Sequence, residues 1–142
     1  YPKDVVNFRY LIGKNNFLIS KIETLKAVNN VKEIMRHSDA VLIDRGDLSR
    51  EVMVEEIPKF QLKILKISKK IKKRVFIATN LLESMVSLPY PTRAESNDIY
   101  FSLFSGAAGL VLAAETAIGK YPVQCVEFVR KCINSFQKNN GE

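Results

Sequence analysis

Four short apolar runs punctuate the chain, and each closes on polar groups. They are Asn16–Lys21 (Asn-Phe-Leu-Ile-Ser-Lys), Val41–Ile43 closing on Asp44-Arg45-Gly46-Asp47, Val75–Ala78 closing on Thr79-Asn80, and Gly109–Leu112 closing on Ala113-Ala114-Glu115-Thr116. Runs this short and this continuously apolar predict strands buried on both faces, as in a parallel sheet covered by helices. Between them the spacing turns helical. Lys26–Arg36 places Val28, Val31, Ile34 and Met35 on one face, and Phe60, Ile64, Ile67 and Ile71 recur through Lys59–Arg74. Thr92–Leu103 opens with Thr92 as an N-cap and Glu95 three residues on. Tyr121–Phe136 has Pro122 in its first turn, and Tyr1–Leu11 supplies an opening helix. The order α-β-α-β-α-β-α-β-α predicts an α/β fold of parallel βα units with four strands in sequence.

Composition agrees with a folded chain. With 142 residues, 46% hydrophobic and 26% charged, residues 1–142 suit one domain and exclude a disordered chain. No apolar run approaches the roughly 18 residues of a membrane span. The start at Tyr1, without a signal pattern, leads us to expect a cytoplasmic piece of a longer polypeptide. The net charge of +7 is local: Lys59 through Arg74 hold eight Lys and Arg and no acid, and the remainder holds 14 basic against 15 acidic residues. These lysines form the solvated face of an amphipathic helix. No aromatic interleaving or base-reading motif accompanies them, so nucleic acid is not an expected partner.

Cys125 and Cys132 are seven positions apart on the last helix. Two helical turns set them about 10 Å apart, too far for a disulfide, so they read as inward-facing reduced thiols. The single histidine, His37, excludes a multi-histidine metal site. Neither a Walker loop nor a Gly-x-Gly-x-x-Gly fingerprint is present.

In parallel βα folds, functional groups gather at the carboxyl ends of strands. Here those ends present Lys21 and Glu23, Asp44 to Asp47, Thr79 with Asn80, and Glu115 with Thr116. Carboxylates such as Glu23 and Asp47 suit Mg²⁺, and a nearby lysine suits a phosphoryl group in transfer.

Lys21-Ile22-Glu23, Arg45-Gly46-Asp47-Leu48, Ala78-Thr79, Leu82-Glu83-Ser84-Met85, Pro91-Thr92-Arg93-Ala94-Glu95 and Glu115-Thr116-Ala117 follow one another in the order and spacing of pyruvate kinase. The chain resembles that family from about Asp4 to Phe136, over strands five to eight of its catalytic (β/α)₈ barrel. The resemblance implies that Lys21 stabilises the phosphoryl group passing from phosphoenolpyruvate to ADP. It implies Glu23 and Asp47 as ligands of Mg²⁺, and the amides around Gly46 and Asp47 as the grip on the substrate carboxylate. By the same resemblance Thr79 lies beside the enolate carbon, Glu115 belongs to the pocket rim, and Arg93 borders a subunit interface of a homo-oligomer. The family's K⁺ ligands and most of its nucleotide site lie in the first half of the barrel, so one chain alone is expected not to turn over.

Departures from the family pattern cluster at the pocket. Asp44 stands where the family has Ala, Asn80 where it has Gln, Ala113-Ala114 where it has Ser-Gly, and Ser49 where it has Gly, a position at which positive φ is then expected. They define an alternative: a degenerate structural or interaction module without catalysis.

Overall fold

The computed structural model describes residues 1–139 and divides into two compact units, Tyr1–Ile77 and Ala78–Glu142. The first unit runs α1 (Pro2–Ile12), β1 (Ile19–Ile22), α2 (Leu25–Asn29), α3 (Val31–His37), β2 (Ala40–Asp44), α4 (Arg45–Leu48), α5 (Ile57–Ile71) and β3 (Arg74–Ala78), whose last residue crosses the boundary. Its strands lie in the order β1-β2-β3. β1 and β2 are parallel, with Lys21 opposite Leu42 and Ile22 opposite Ile43. The α/β class is the one expected.

Local chemistry sets the boundaries. The first strand starts at Ile19, later than expected, because the Asp39 carboxylate accepts the Leu18 amide at 2.6 Å. The expected helix Lys26–Arg36 is two helices. Thr24 caps the first by accepting the Ala27 amide at 3.1 Å, and the chain turns at Asn30 (φ −105°, ψ 11°) before α3. The basic helix spans Ile57–Ile71, with Pro58 in its first turn and left-handed Lys72 (φ 54°) ending it. Its buried face is Phe60, Gln61, Ile64, Leu65 and Ser68. Ile67 and Ile71, expected inside, are only half-buried, because the seam follows i, i+4 and i+8 from Phe60. The core of this unit holds Ile22, Val28, Met35, Val41, Ile43, Leu48, Ile64 and Ile77.

The second unit contains a short 3-10 turn (Glu83–Val86), α6 (Arg93–Phe104), β4 (Gly109–Val111), α7 (Ala114–Ala117) and α8 (Pro122–Asn139). The Thr92–Glu95 capping box forms as expected. Helices α6 and α8 pack together, with Tyr100 and Phe136 edge to face at 5.4 Å between centroids. Cys125 is fully buried and Cys132 half-buried, both as free thiols. Strand β4 is half-buried along its length rather than enclosed on both faces. Among the described residues, no helix is long and apolar enough to cross a membrane.

Candidate functional site

Parallel pairing of β1 and β2 brings two strand ends side by side, about 4.8 Å apart, and carries the first unit's charged residues to one place. Lys21 is the third residue of β1 and Glu23 follows its end, Asp44 ends β2, and Asp47 lies in the first turn of α4. The Lys21 ammonium is 2.7 Å from Glu23 Oε2, 3.0 Å from Asp44 Oδ2 and 3.6 Å from Asp47 Oδ2. Three carboxylates thus surround one half-exposed cation. Hydrogen bonding to Glu23, then to Asp44, holds the lysine well above its ordinary pKa, so it remains charged.

Asp44 also ends the strand. Its Oδ1 accepts the Asp47 amide at 3.3 Å, the bond that starts α4. Its side chain is 11% exposed against 50% for Lys21, so the carboxylate is sheltered while the ammonium is wet. Ser49, where positive φ was expected, has φ −66° and ends α4 in the right-handed region, its hydroxyl donating to the Gly46 carbonyl at 2.7 Å. Serine is therefore unstrained there.

This donor set fits a hard divalent cation. Carboxylate oxygens of Glu23, Asp44 and Asp47 all lie within 4.8 Å of one another, and oxygen-only ligands suit Mg²⁺. Glu23 Oε2 is shielded from solvent. Its close neighbour is the Lys21 ammonium at 2.7 Å.

The other sequence-derived residues belong to the second unit. Thr79 and Asn80 both have positive φ, 69° and 53°, a conformation rare outside glycine and costly for a β-branched residue. The Thr79 hydroxyl donates to the Ala78 carbonyl at 2.6 Å, and Asn80 Nδ2 donates to Glu83 Oε2 at 3.0 Å. Arg93 is exposed at the start of α6.

Glu115, expected at the pocket rim, lies at the start of α7. It is 2% exposed, with Oε1 accepting the Leu82 amide at 3.0 Å and Oε2 the Ala113 amide at 2.8 Å. Burial pushes its carboxyl up, but the amides of Leu82 and Ala113 outweigh that and hold it below the usual range. A second carboxylate acts similarly and was not picked out by sequence reasoning beyond its capping role. Glu95 accepts the Ser84 amide at 2.7 Å, the Ser84 hydroxyl at 2.6 Å and the Thr92 amide at 2.7 Å. Glu95 and Glu115 therefore pin the Leu82-Glu83-Ser84-Met85 segment from two sides.

Residues 2–126 match the family model described as "Pyruvate kinase, barrel domain". A pyruvate kinase of Thermotoga maritima is 44% identical over 140 residues, covering 96% of this chain and 30% of its own length. One from Methanocaldococcus jannaschii is 45% identical over 114 residues, 80% of this chain and 26% of its own length. One from Agrobacterium vitis is 40% identical over 137 residues, with 96% and 28% covered. The chain thus spans about a third of the length of the curated relatives it matches.

Proposed function

The chain belongs to the pyruvate kinase family, and on that premise we propose that it supplies strands five to eight of a (β/α)₈ barrel that transfers a phosphoryl group from phosphoenolpyruvate to ADP. The observation that carries this reading is the convergence of Lys21 with Glu23 and Asp47 at the ends of adjacent parallel strands. Phosphoryl transfer asks little covalent chemistry of a protein and much electrostatics: positive charge must meet the oxygens of the moving group. Lys21 is a half-exposed ammonium on β1, held above its ordinary pKa by Glu23 and Asp44, and it would offer that charge.

Glu23 and Asp47 would hold Mg²⁺. A divalent ion held there would supply positive charge to the phosphoryl group in transfer. The amides around Gly46 and Asp47 would orient the substrate carboxylate, and Thr79 would sit beside the enolate carbon. Asn80, as the neighbour of Thr79, would line the same pocket. The K⁺ ligands and most of the nucleotide contacts would come from the first four strands of the barrel, so the isolated chain is inactive in this reading. Arg93 would border a subunit contact in a homo-oligomer, with the assembly acting in the cytoplasm.

The test is a graft. This chain replaces the matched segment of the Thermotoga maritima pyruvate kinase, and pyruvate formation from phosphoenolpyruvate and ADP is measured. Pyruvate formation that disappears with Lys21→Met supports the reading. A folded graft no more active than its Lys21→Met version refutes it.

A further inference from the structure

We propose that Asp44 is an internal competitor for the substrate anion, a specificity-determining carboxylate occupying the groups an incoming acid would need. This rests on the reading of Lys21 and the Gly46–Asp47 turn as substrate-facing. Asp44 Oδ2 lies 3.0 Å from the Lys21 ammonium, while Oδ1 accepts the Asp47 amide at 3.3 Å. A substrate phosphoryl oxygen seeking Lys21 and a substrate carboxylate seeking that amide both meet a carboxylate already in place.

Charge points the same way. Lys21 is one cation among Glu23, Asp44 and Asp47. Alanine at position 44, the residue the family pattern has there, would leave two carboxylates. Arg50 also pairs with Asp47, at 3.6 Å, so with or without a divalent ion Asp44 makes the cluster one unit less positive than alanine would. The carboxylate is also anchored. It is sheltered by the fold, ends β2 and starts α4, so an incoming anion must displace it against the cap rather than push aside a mobile surface chain. The consequence is a site with weakened affinity for multiply charged phosphorylated acids. Acids of lower charge are penalised less, since repulsion scales with the charge brought in.

The size follows from Coulomb's law. One like charge at about 4 Å, in surroundings between water and a protein surface, weakens binding about fivefold to a thousandfold. The half-exposed Lys21 places this site near the lower end, so the expected gain on neutralising Asp44 is about fivefold to tenfold.

The experiment titrates the graft of this chain into the Thermotoga maritima pyruvate kinase with phosphoenolpyruvate in the presence of Mg²⁺, following the Asp47 backbone amide by ¹H–¹⁵N NMR. Asp44→Ala removes the charge and the cap. Asp44→Asn removes the charge and keeps a capping oxygen, so it covers the case in which the alanine variant loosens α4. Both variants are expected to bind at least fivefold more tightly than the parent. The Asp47 amide should shift on titration in the variants and less so in the parent, a response that a purely structural cap would not produce. Equal or weaker binding in both variants overturns the proposal, as does the absence of binding in every form. An inactive graft separately marks failure of the underlying functional reading.

Discussion

Replacing Glu115 by glutamine changes one carboxylate oxygen into an amide NH₂ and leaves volume almost untouched. In the native fold the carboxylate oxygens accept backbone amides, among them Leu82 at 3.0 Å on one oxygen and Ala113 at 2.8 Å on the other. Glutamine keeps one acceptor and turns a donor toward the other amide. Leu82 is fully buried and Glu115 is 2% exposed, so the abandoned N–H finds no water. A buried donor left unsatisfied costs about 1–3 kcal/mol. Glu115→Ala abandons both amides and opens a cavity, for a total of about 3–5 kcal/mol. The assay is urea unfolding followed by far-ultraviolet circular dichroism, with the midpoint and slope compared between variants. The pH dependence gives a second signature. The folded carboxyl sits below its ordinary value of 4.5, so its stabilisation is fully present above that value. It is lost as pH falls through the lower folded value. The gap between wild type and Glu115→Gln should therefore be flat from about pH 7 to 5 and narrow below about 4.5. A Glu115→Gln variant within about 0.5 kcal/mol of wild type at pH 7 would refute this account of the pinned segment.

Three further outcomes follow from the same geometry. Glu95→Ala removes the acceptor of Ser84 and Thr92 and should cost about 2–4 kcal/mol by the same unfolding assay, with Glu95→Gln between it and wild type. Gly119→Ala should destabilise by more than about 1 kcal/mol, because the added Cβ would lie 2.3 Å from the Glu115 carbonyl oxygen, backbone that has no rotamer to yield; an unchanged midpoint would contradict the close approach. Cys125, buried and with its thiol pushed up by burial and then by the charge of Glu115, should react with an aromatic disulfide reagent only at the rate of unfolding, and faster labelling in the native protein would show that the α8 packing opens.

Much of this architecture was legible because apolarity and strand periodicity coincide. The Val41–Ile43 and Val75–Ala78 runs became β2 and β3 within a residue or two, since their side chains are buried wherever helices cover a parallel sheet. Short elements leave no mark on the periodicity, and the helix after the second strand is expected only through the family resemblance. α4 and α7 have four residues each, too few for a helical period, and the break at Asn30 lies inside a pattern whose apolar spacing continues across it. The amphipathic stripe of α5 was displaced because Gln61 and Ser68 are buried polar residues, one of them satisfied by the Ser68 hydroxyl donating to the Leu65 carbonyl. At the site, Lys21, Glu23 and Asp47 stood out through their motifs and the structure brings them together. The cap made by Asp44 was a local signal that went unread, an aspartate immediately before a short helix. The Glu95–Ser84 and Glu115–Leu82 bonds join residues 11 and 33 positions apart, a distance over which no local pattern reports contact.

The central claim is that Glu23 and Asp47 at adjacent strand ends form a divalent-cation site. Mn²⁺, which substitutes for Mg²⁺ at oxygen-ligand sites and is visible by electron paramagnetic resonance, tests it on the chain as it stands. We predict one bound Mn²⁺ per chain, displaced by Mg²⁺, with affinity falling about tenfold or more in both Glu23→Gln and Asp47→Asn. Stoichiometric binding that survives both substitutions unchanged, or no binding by the folded chain, would contradict the claim.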